Sequence, residues 1–414
     1  MISVVNHLLP LNGNRHYFWN SKTTMRILRQ TILLFCIFMS ALAVHAQENG
    51  KVWKIAVFAP VYLDSAYTAD GNYRLGNQIL PRYMMPGLDF YNGVMLAIDS
   101  LNAEKQPIEV VLYDSKSIKG NTSTATLDSS LSTASLIIAS FNNRNEIKAL
   151  ADFALEHEIP LISSTYPNDG GLTENPYFVL INPTLRTHLE GIYSYLQRVY
   201  PTSSMTMFRR KGAVEDMIQN TFGEIARTSK TVPLKIKTIE LTDSFTTQEV
   251  ISYLDSTRQN IVICGSLNEN FGINLVKSLS ESRKYRSIAI GMPTWDALRG
   301  VDKNVEIVYT TPYHFIRTDK IGLDITNNYR NKFSGRPSDM VFKGFEAMYR
   351  FTKLLIKHEG SLMKNLSDKS LRLFNEFDIQ SVKPYTNNPN AVDYLENKKL
   401  YYIRKLDGQI RSVN

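Results

Sequence analysis

Short apolar runs alternate with amphipathic stretches along most of the chain, and this alternation constrains the fold more than any other feature. WKIAVFAP (53–60) and IEVVLYDS (108–115) predict strands. Between them, FYNGVMLAIDSLN (90–102) repeats apolar residues at helical spacing. Strands that alternate with helices predict a parallel sheet with helices on both faces, which is an α/β fold.

The alternation begins again after residue 203 and continues to residue 292, which predicts a second α/β unit. The chain has 414 residues, of which 43% are hydrophobic, and is long enough to form two such cores. Asp407-Gly408 predicts a hairpin near the C-terminus. Further helices are predicted over 121–133, 319–333 and 341–358.

The first 46 residues have the pattern of an upstream segment followed by a secretory signal peptide. Arg26 and Arg29 form a basic region, Ile32 to Leu42 an apolar region, and Val44 to Ala46 a cleavage site with small residues. The rest of the chain has no run of about 18 apolar residues, which a membrane helix needs. We therefore expect a periplasmic or secreted protein whose mature chain has no membrane span.

Charge and motifs exclude several functions. The net charge of +8 becomes only mildly positive when the four basic residues of the first 46 are removed, and no dense Lys/Arg run follows, so nucleic-acid binding is not expected. Cys264 is then the single cysteine and cannot form an internal disulfide. The chain lacks GxSxG, HExxH and Walker motifs, and its histidines are scattered. We predict no enzymatic activity, metal or cofactor.

Three segments resemble the type I periplasmic binding proteins of the branched-chain amino acid (Leu/Ile/Val-binding) class, the substrate-binding components of ABC transporters. PGLDFYNGVMLAIDSLN (86–102) is similar to the glycine-spaced first helix of that family. SFNNRNEIKALADFALEHEIPLISST (140–165) resembles its third strand, the following helix and its fourth strand. YRNKFSGRPSDMVFKGFEAMYRF (329–351) resembles its late segment. The resemblance covers nearly all of 54–355.

The resemblance implies two doubly wound parallel-sheet lobes joined by a hinge, which close on a ligand. The first lobe would contain residues 53–182 and 313–360. The second lobe would contain residues 183–312 and 361–414, the latter including the C-terminal tail.

The resemblance also implies ligand-binding positions beyond the strand ends of both lobes. The matching residues are Asn143, Arg144, Ser163, Ser164, Thr165, Thr187 and Glu269. The residues from 163 to 165 keep the hydroxyl groups of the family, whereas Asn143 and Arg144 replace a hydroxyl pair and Thr187 replaces an acid. Asn143 and Glu146 also have the spacing of a capping box, so these polar residues would alternatively serve only as caps and turns.

The predicted function is the capture of a small polar, amino-acid-like ligand between the lobes, with an ABC permease as the expected partner. The alternative is a periplasmic regulator of the same fold that acts through protein contacts, for example on cell-wall synthesis. The long segment 62–88 carries several tyrosines and would either cover the ligand or form a surface excursion.

Overall fold

The computed structural model describes residues 51–76, 80–298, 304–383 and 391–413. The predicted signal peptide lies outside the described residues.

Two sheets of seven strands each are formed within the described ranges. The first sheet contains β1 (Trp53–Ala59), β2 (Ile108–Asp114), β3 (Leu136–Ala139), β4 (Leu161–Ser163), β5 (Phe178–Leu180), β11 (Ile379–Val382) and β12 (Tyr394–Asn397), in the order β11-β12-β5-β4-β3-β1-β2. The second contains β6 (Ser204–Arg209), β7 (Lys235–Glu240), β8 (Asn260–Cys264), β9 (Ser287–Ile290), β10 (Glu306–Thr311), β13 (Tyr401–Leu406) and β14 (Gln409–Val413), in the order β14-β13-β10-β9-β8-β6-β7. Only the pairs β11–β12, β10–β13 and β13–β14 are antiparallel.

Helices connect and cover these strands. They are α1 (Leu63–Ala66), α2 (Met85–Ala103), α3 (Thr122–Ala125), α4 (Asn145–Glu156), α5 (Leu185–Val199), α6 (Ala213–Thr228), α7 (Thr247–Ile251), α8 (Glu269–Glu281), α9 (Lys320–Phe333) and α10 (Asp339–Lys357). Single 3₁₀ turns lie at Pro293–Asp296, Leu362–Lys364 and Lys369–Leu371. The predicted α/β class with two doubly wound lobes is confirmed.

The apolar runs are continuous because both faces of the central strands are buried. Along β1, Ile55 and Val57 pack into one core of the first lobe, while Ala56 and Phe58 pack into the core on the opposite face. A strand covered on both faces needs apolar residues at successive positions rather than at every second one.

Helices α2 and α10 of the first lobe are in direct backbone contact at two glycines. A Cβ atom on Gly93 would lie 2.0 Å from the carbonyl oxygen of Val341, and one on Gly344 would lie 2.2 Å from that of Phe90. A side chain at either position would force the helices apart. The glycine spacing noted in the sequence therefore allows this close packing.

The chain crosses between the lobes three times. After β5 it enters α5, whose Leu189 and Ile192 pack with the core of the second sheet. After β10 it returns to α9 and α10, which pack on the first sheet. Finally β12 of the first sheet leads into β13 of the second. We call these connections the first, second and third crossovers.

The C-terminal region differs from the prediction. The resemblance placed 361–414 in the second lobe, but β11 and β12 join the first sheet, where Leu395 is in register with Val179 of β5. Phe374 and Phe377 pack into the first-lobe core, so the chain between α10 and β11 also belongs to the first lobe. Only β13 and β14, joined by the predicted Asp407-Gly408 turn, belong to the second sheet.

The predicted helix over 121–133 is limited to the four residues of α3. Asn121 caps this turn through its side chain, and Asp128 Oδ1 then accepts a hydrogen bond from the N–H of Ser130. Side chains of this kind offer the backbone an alternative to helical hydrogen bonds, so the serine- and threonine-rich segment forms successive turns. The predictions over 319–333 and 341–358 agree with α9 and α10 to within two residues.

Candidate functional site

A cavity of about 550 Å³ lies at the crossovers, between the two lobes. We call it the interlobe cavity. The first lobe contributes Pro167, Asn168, Asp339 and Lys343; the first crossover contributes Asn182, Pro183, Leu185 and His188; the second crossover contributes Thr310, Thr311, Pro312 and Tyr313; and the second lobe contributes Val214, Met217, Leu267, Pro293, Thr294, Asp296 and Ala297. A ligand in the cavity would therefore contact both lobes and two crossovers.

His188 is buried at the wall of the cavity. Its Nδ1 atom is hydrogen-bonded to Thr310 Oγ1 at 2.9 Å, which joins the first crossover to the second. Burial lowers the pKa of the imidazole to about 3, because the charged form would lose its hydration. At neutral pH this histidine is therefore uncharged.

Lys343 supplies a positive charge to the cavity. It lies in the second turn of α10, half-buried, with Nζ 4.5 Å from the centroid of the Tyr313 ring. Burial lowers the pKa of the ammonium group, while Asp296 and Asp339 favour its charged form. Within the part of the chain that the structure describes, Nζ forms no hydrogen bond and has no carboxylate oxygen within 4.0 Å.

The two cavity carboxylates have other partners. Asp339 Oδ1 is 2.5 Å from Arg317 Nη2 and forms an ion pair with it. Asp296 Oδ1 accepts a hydrogen bond from the hydroxyl of Tyr309 at 3.0 Å. The charge of Lys343 is therefore balanced only at longer range.

One hydroxyl group in the lining has no partner. Thr294 Oγ1 is buried and forms no hydrogen bond with any described residue. Thr294 belongs to the second lobe, whereas Lys343 belongs to the first. A buried hydroxyl without a partner is unfavourable, and it can act as a donor or as an acceptor.

Five of the residues predicted from the sequence gather at the carboxyl edge of the first sheet, and none of the five lines the cavity. Thr165 Oγ1 is 3.0 Å from Ser140 Oγ and donates to the carbonyl oxygen of Phe141 at 3.1 Å. Ser163 and Ser164 are buried, and their hydroxyls form no hydrogen bond within the described residues. Thr165 therefore joins the ends of β3 and β4.

Asn143 and Arg144 precede α4. Asn143 Oδ1 accepts a hydrogen bond from the N–H of Glu146 at 3.2 Å, which is one half of the predicted capping box, although the N-cap residue of α4 is Arg144. The carboxylate of Glu146 accepts from the N–H of Asn142 rather than from that of Asn143, at 3.5 Å. The exposed Arg144 lies against Gly171, where a Cβ atom would be 2.5 Å from Nη2.

The other two predicted residues lie in the second lobe and are separated from this group. Thr187 is buried in the first turn of α5, where its hydroxyl accepts a hydrogen bond from Lys398 Nζ at 2.7 Å. Glu269 is exposed at the start of α8. Each is close in sequence to a cavity residue, His188 and Leu267 respectively, but neither lines the cavity itself.

None of the residues that line the cavity was predicted from the sequence, and His188 and Lys343 show why. A single histidine or lysine in an amphipathic helix has no distinctive spacing. Their neighbours in the cavity come from segments more than a hundred residues apart. Topology, rather than a local motif, brings them together.

The described residues contain no group of His, Cys, Asp and Glu side chains that could hold a metal ion. None of their helices is long and apolar enough to cross a membrane. Burial raises the pKa of the Cys264 thiol to about 12, so it is protonated at neutral pH.

Two lobes with mostly parallel sheets, three crossovers and a cavity between them define the fold of the type I periplasmic substrate-binding proteins. The sequence matches no protein-family model and no curated protein. The fold is nevertheless similar to that of several solved structures.

A putative branched-chain amino acid ABC transporter protein from Rhodospirillum rubrum matches with a TM-score of 0.59 and 11% identity, over 88% of this chain and 100% of that chain. An ABC transporter substrate-binding protein from Desulfitobacterium hafniense, in complex with Leu, matches with a TM-score of 0.53 and 13% identity over the same shares. A branched-chain amino acid ABC transporter periplasmic ligand-binding protein from Burkholderia xenovorans matches with a TM-score of 0.56 and 14% identity, over 88% of this chain and 95% of that chain. The resemblance noted in the sequence is thereby confirmed at the level of the fold.

Proposed function

We propose that this chain is a solute-binding protein, which captures a small polar molecule in the interlobe cavity and delivers it to an ABC transporter. The observation that carries this proposal is the composition of the cavity wall. Both lobes and two crossovers contribute to it, so one ligand would contact both lobes and two of the connections between them.

The size and chemistry of the cavity support the proposal. Its volume of about 550 Å³ falls within the ~300–1,000 Å³ of small-molecule sites, and its lining combines apolar side chains with a few polar groups. A ligand that contacts both lobes stabilises the arrangement in which they are close together. The Desulfitobacterium protein of similar fold holds Leu, which is consistent with such a role.

The residues predicted at the carboxyl edge of the first sheet belong to this proposal as a second set of ligand contacts. Asn182 of the cavity wall donates to the carbonyl oxygen of Thr165 at 2.6 Å. Asn168, three residues after Thr165, also lines the cavity. A ligand in contact with Asn168 and Asn182 would therefore lie next to the chain segment that carries Thr165.

The test begins with mass spectrometry of small molecules released on denaturing protein that was purified natively. Calorimetry with the compound identified then compares wild type with Val214→Trp. Val214 is 41% exposed in the first turn of α6, so a larger side chain should fill the cavity without disturbing a core. Val232→Trp makes the same change at a 78% exposed position outside the cavity and serves as the control.

We expect Val214→Trp to abolish binding and Val232→Trp to leave it unchanged. Small-angle scattering should show a more compact wild-type protein when the ligand is bound. Undiminished affinity in Val214→Trp would place the ligand elsewhere and contradict the proposal.

The regulatory alternative is favoured by a different surface. Tyr67, Tyr73 and Tyr83, in the segment 62–88, are each at least 39% exposed, and such rings offer contact area to a protein partner. Affinity capture with wild type and Tyr83→Ser would test it. A partner that is lost with Tyr83→Ser but kept by Val214→Trp would favour regulation over transport.

A further inference from the structure

We propose that the ligand of the interlobe cavity is a small organic monoanion with an apolar body, and that Lys343 binds its carboxylate or equivalent acidic group. This inference rests on the proposed function. The geometry assigns this role to Lys343 through three features of the cavity, which concern its charge, its unsatisfied polar group and its exposed apolar side chains.

The first feature is the balance of charge. Lys343 has no ion-pair partner within 4.0 Å among the described residues, whereas Asp339 is paired with Arg317. Asp296 is hydrogen-bonded to Tyr309, and buried His188 is neutral. The cavity therefore offers a cation that lacks a direct counter-ion, while Asp339 has one in Arg317 and Asp296 accepts a hydrogen bond from Tyr309.

This balance separates a monoanion from an amino acid. The ammonium group of an amino acid would have to compete with Arg317 for Asp339 or share Asp296 with the hydroxyl of Tyr309. An acidic group without a neighbouring ammonium requires neither.

The second feature is the hydroxyl of Thr294. It is buried without a hydrogen-bond partner in the described residues, and Thr294 lines the cavity from the second lobe, whereas Lys343 belongs to the first. An anionic group between them would accept a hydrogen bond from each. The same group would then draw the two lobes together.

The third feature is the apolar part of the wall. Val214 and Met217 lie in the first two turns of α6 and are each 41% exposed, although both line the cavity. Leu185 and Leu267 adjoin them in the lining. These side chains would be covered by a ligand with a hydrocarbon portion, which accounts for the apolar body.

The test uses three probes with a common six-carbon chain: hexanoate, hexanamide and norleucine. They present a monoanion, a neutral amide and a zwitterion. Calorimetric titration of the wild-type protein should show that hexanoate binds at least about tenfold more tightly than either of the others, as expected for a hydrogen bond to a charged group. Hexanoate that binds no better than hexanamide, or norleucine that binds as well as hexanoate, would overturn the assignment.

Substitutions at Lys343 test whether this residue causes the preference for hexanoate over hexanamide. Lys343→Met should reduce hexanoate affinity at least about tenfold and leave hexanamide affinity unchanged, while Lys343→Arg should keep the preference. Lys353→Met is the control, because Lys353 lies on the same helix but pairs with Glu104 away from the cavity. A preference that survives Lys343→Met in a protein with an unchanged melting temperature would overturn the role of Lys343.

The outcomes also distinguish this inference from the proposed function. Equal binding of hexanoate and hexanamide, abolished by Val214→Trp, would keep the cavity as a solute site and reject only the anion. Absence of binding by all three probes, together with no small molecule released from purified protein, would reject both.

Discussion

Glu396 and Thr184 are joined by two hydrogen bonds, since Oε1 of the buried glutamate accepts from the N–H of Thr184 at 2.7 Å and from its hydroxyl at 2.9 Å. Thr184 directly precedes α5 in the first crossover, and Glu396 lies in β12, just before the third. The other oxygen of Glu396 is paired with Lys398, which in turn donates to Thr187. Two of the three crossovers are therefore fastened to each other.

Glu396→Gln should lower the free energy of unfolding by about 1.5–3 kcal/mol, because hydrogen bonds to a buried charged group are lost and Lys398 is left without its counter-ion. Urea denaturation at pH 7 measures this change. Glu190→Gln removes a solvent-exposed pair with Arg186 and should cost below about 1 kcal/mol. Equal effects of the two substitutions would show that the crossovers are not held together by this contact.

Gly93→Ala and Gly344→Ala should each lower the free energy of unfolding by at least about 1–3 kcal/mol, because the new Cβ atom would meet a backbone carbonyl of the facing helix. Gly223→Ala is the matched control in α6, where the nearest atom to a Cβ would be 3.8 Å away. There we expect a gain of up to about 1 kcal/mol from helix propensity. Thermal and urea denaturation should show lower stability for Gly93→Ala and Gly344→Ala and higher stability for Gly223→Ala.

His188 should make stability depend on pH. The unfolded chain takes up this proton near pH 6.5, whereas the folded protein takes it up only near pH 3. The unfolded state therefore binds more protons between these values, so stability falls as the pH is lowered from about 6.5, by up to about 1.4 kcal/mol per pH unit. Urea denaturation of wild type and His188→Asn between pH 7 and 5 measures it. A variant with the same pH slope as wild type would contradict the assignment.

Thr165→Ala tests the residue that best matches the family position. The loss of its bonds to Ser140 and Phe141 should lower the free energy of unfolding by about 0.5–1.5 kcal/mol. If its hydroxyl also binds a charged ligand, affinity should fall by about one to two powers of ten. Ser140→Ala removes the same contact from the other side and should change stability without changing affinity. Calorimetry and thermal melts separate the two roles, and equal affinities of the two variants would leave Thr165 a structural residue.

The fold was predictable because it depends on patterns that are continuous in sequence. β1 is buried on both faces and is therefore apolar throughout, while α10 has an amphipathic pattern over five turns. Burial of this kind determines whether each position of a strand or helix is apolar or polar. The alternation of such elements is sufficient to predict a parallel sheet and its repetition.

The cavity and the third crossover were not predictable from these patterns. Lys343 and His188 meet through two crossovers and carry no local signal of that meeting. The strand β12 could pair with either sheet on the evidence of its sequence, and the packing of Phe374 and Phe377 decides between them. The side chains of Asn121 and Asp128 likewise replaced a predicted helix with turns.

The return of β12 to the first sheet and of β13 to the second also sets the order in which the molecule can be completed during synthesis. Residues 394–397 sit between β5 and β11, and residues 401–406 sit between β10 and β14. Neither sheet can therefore reach its final strand order until residues 394–413 have left the ribosome. A premature stop anywhere before residue 394 would leave the first sheet without β12 and the second without β13 and β14.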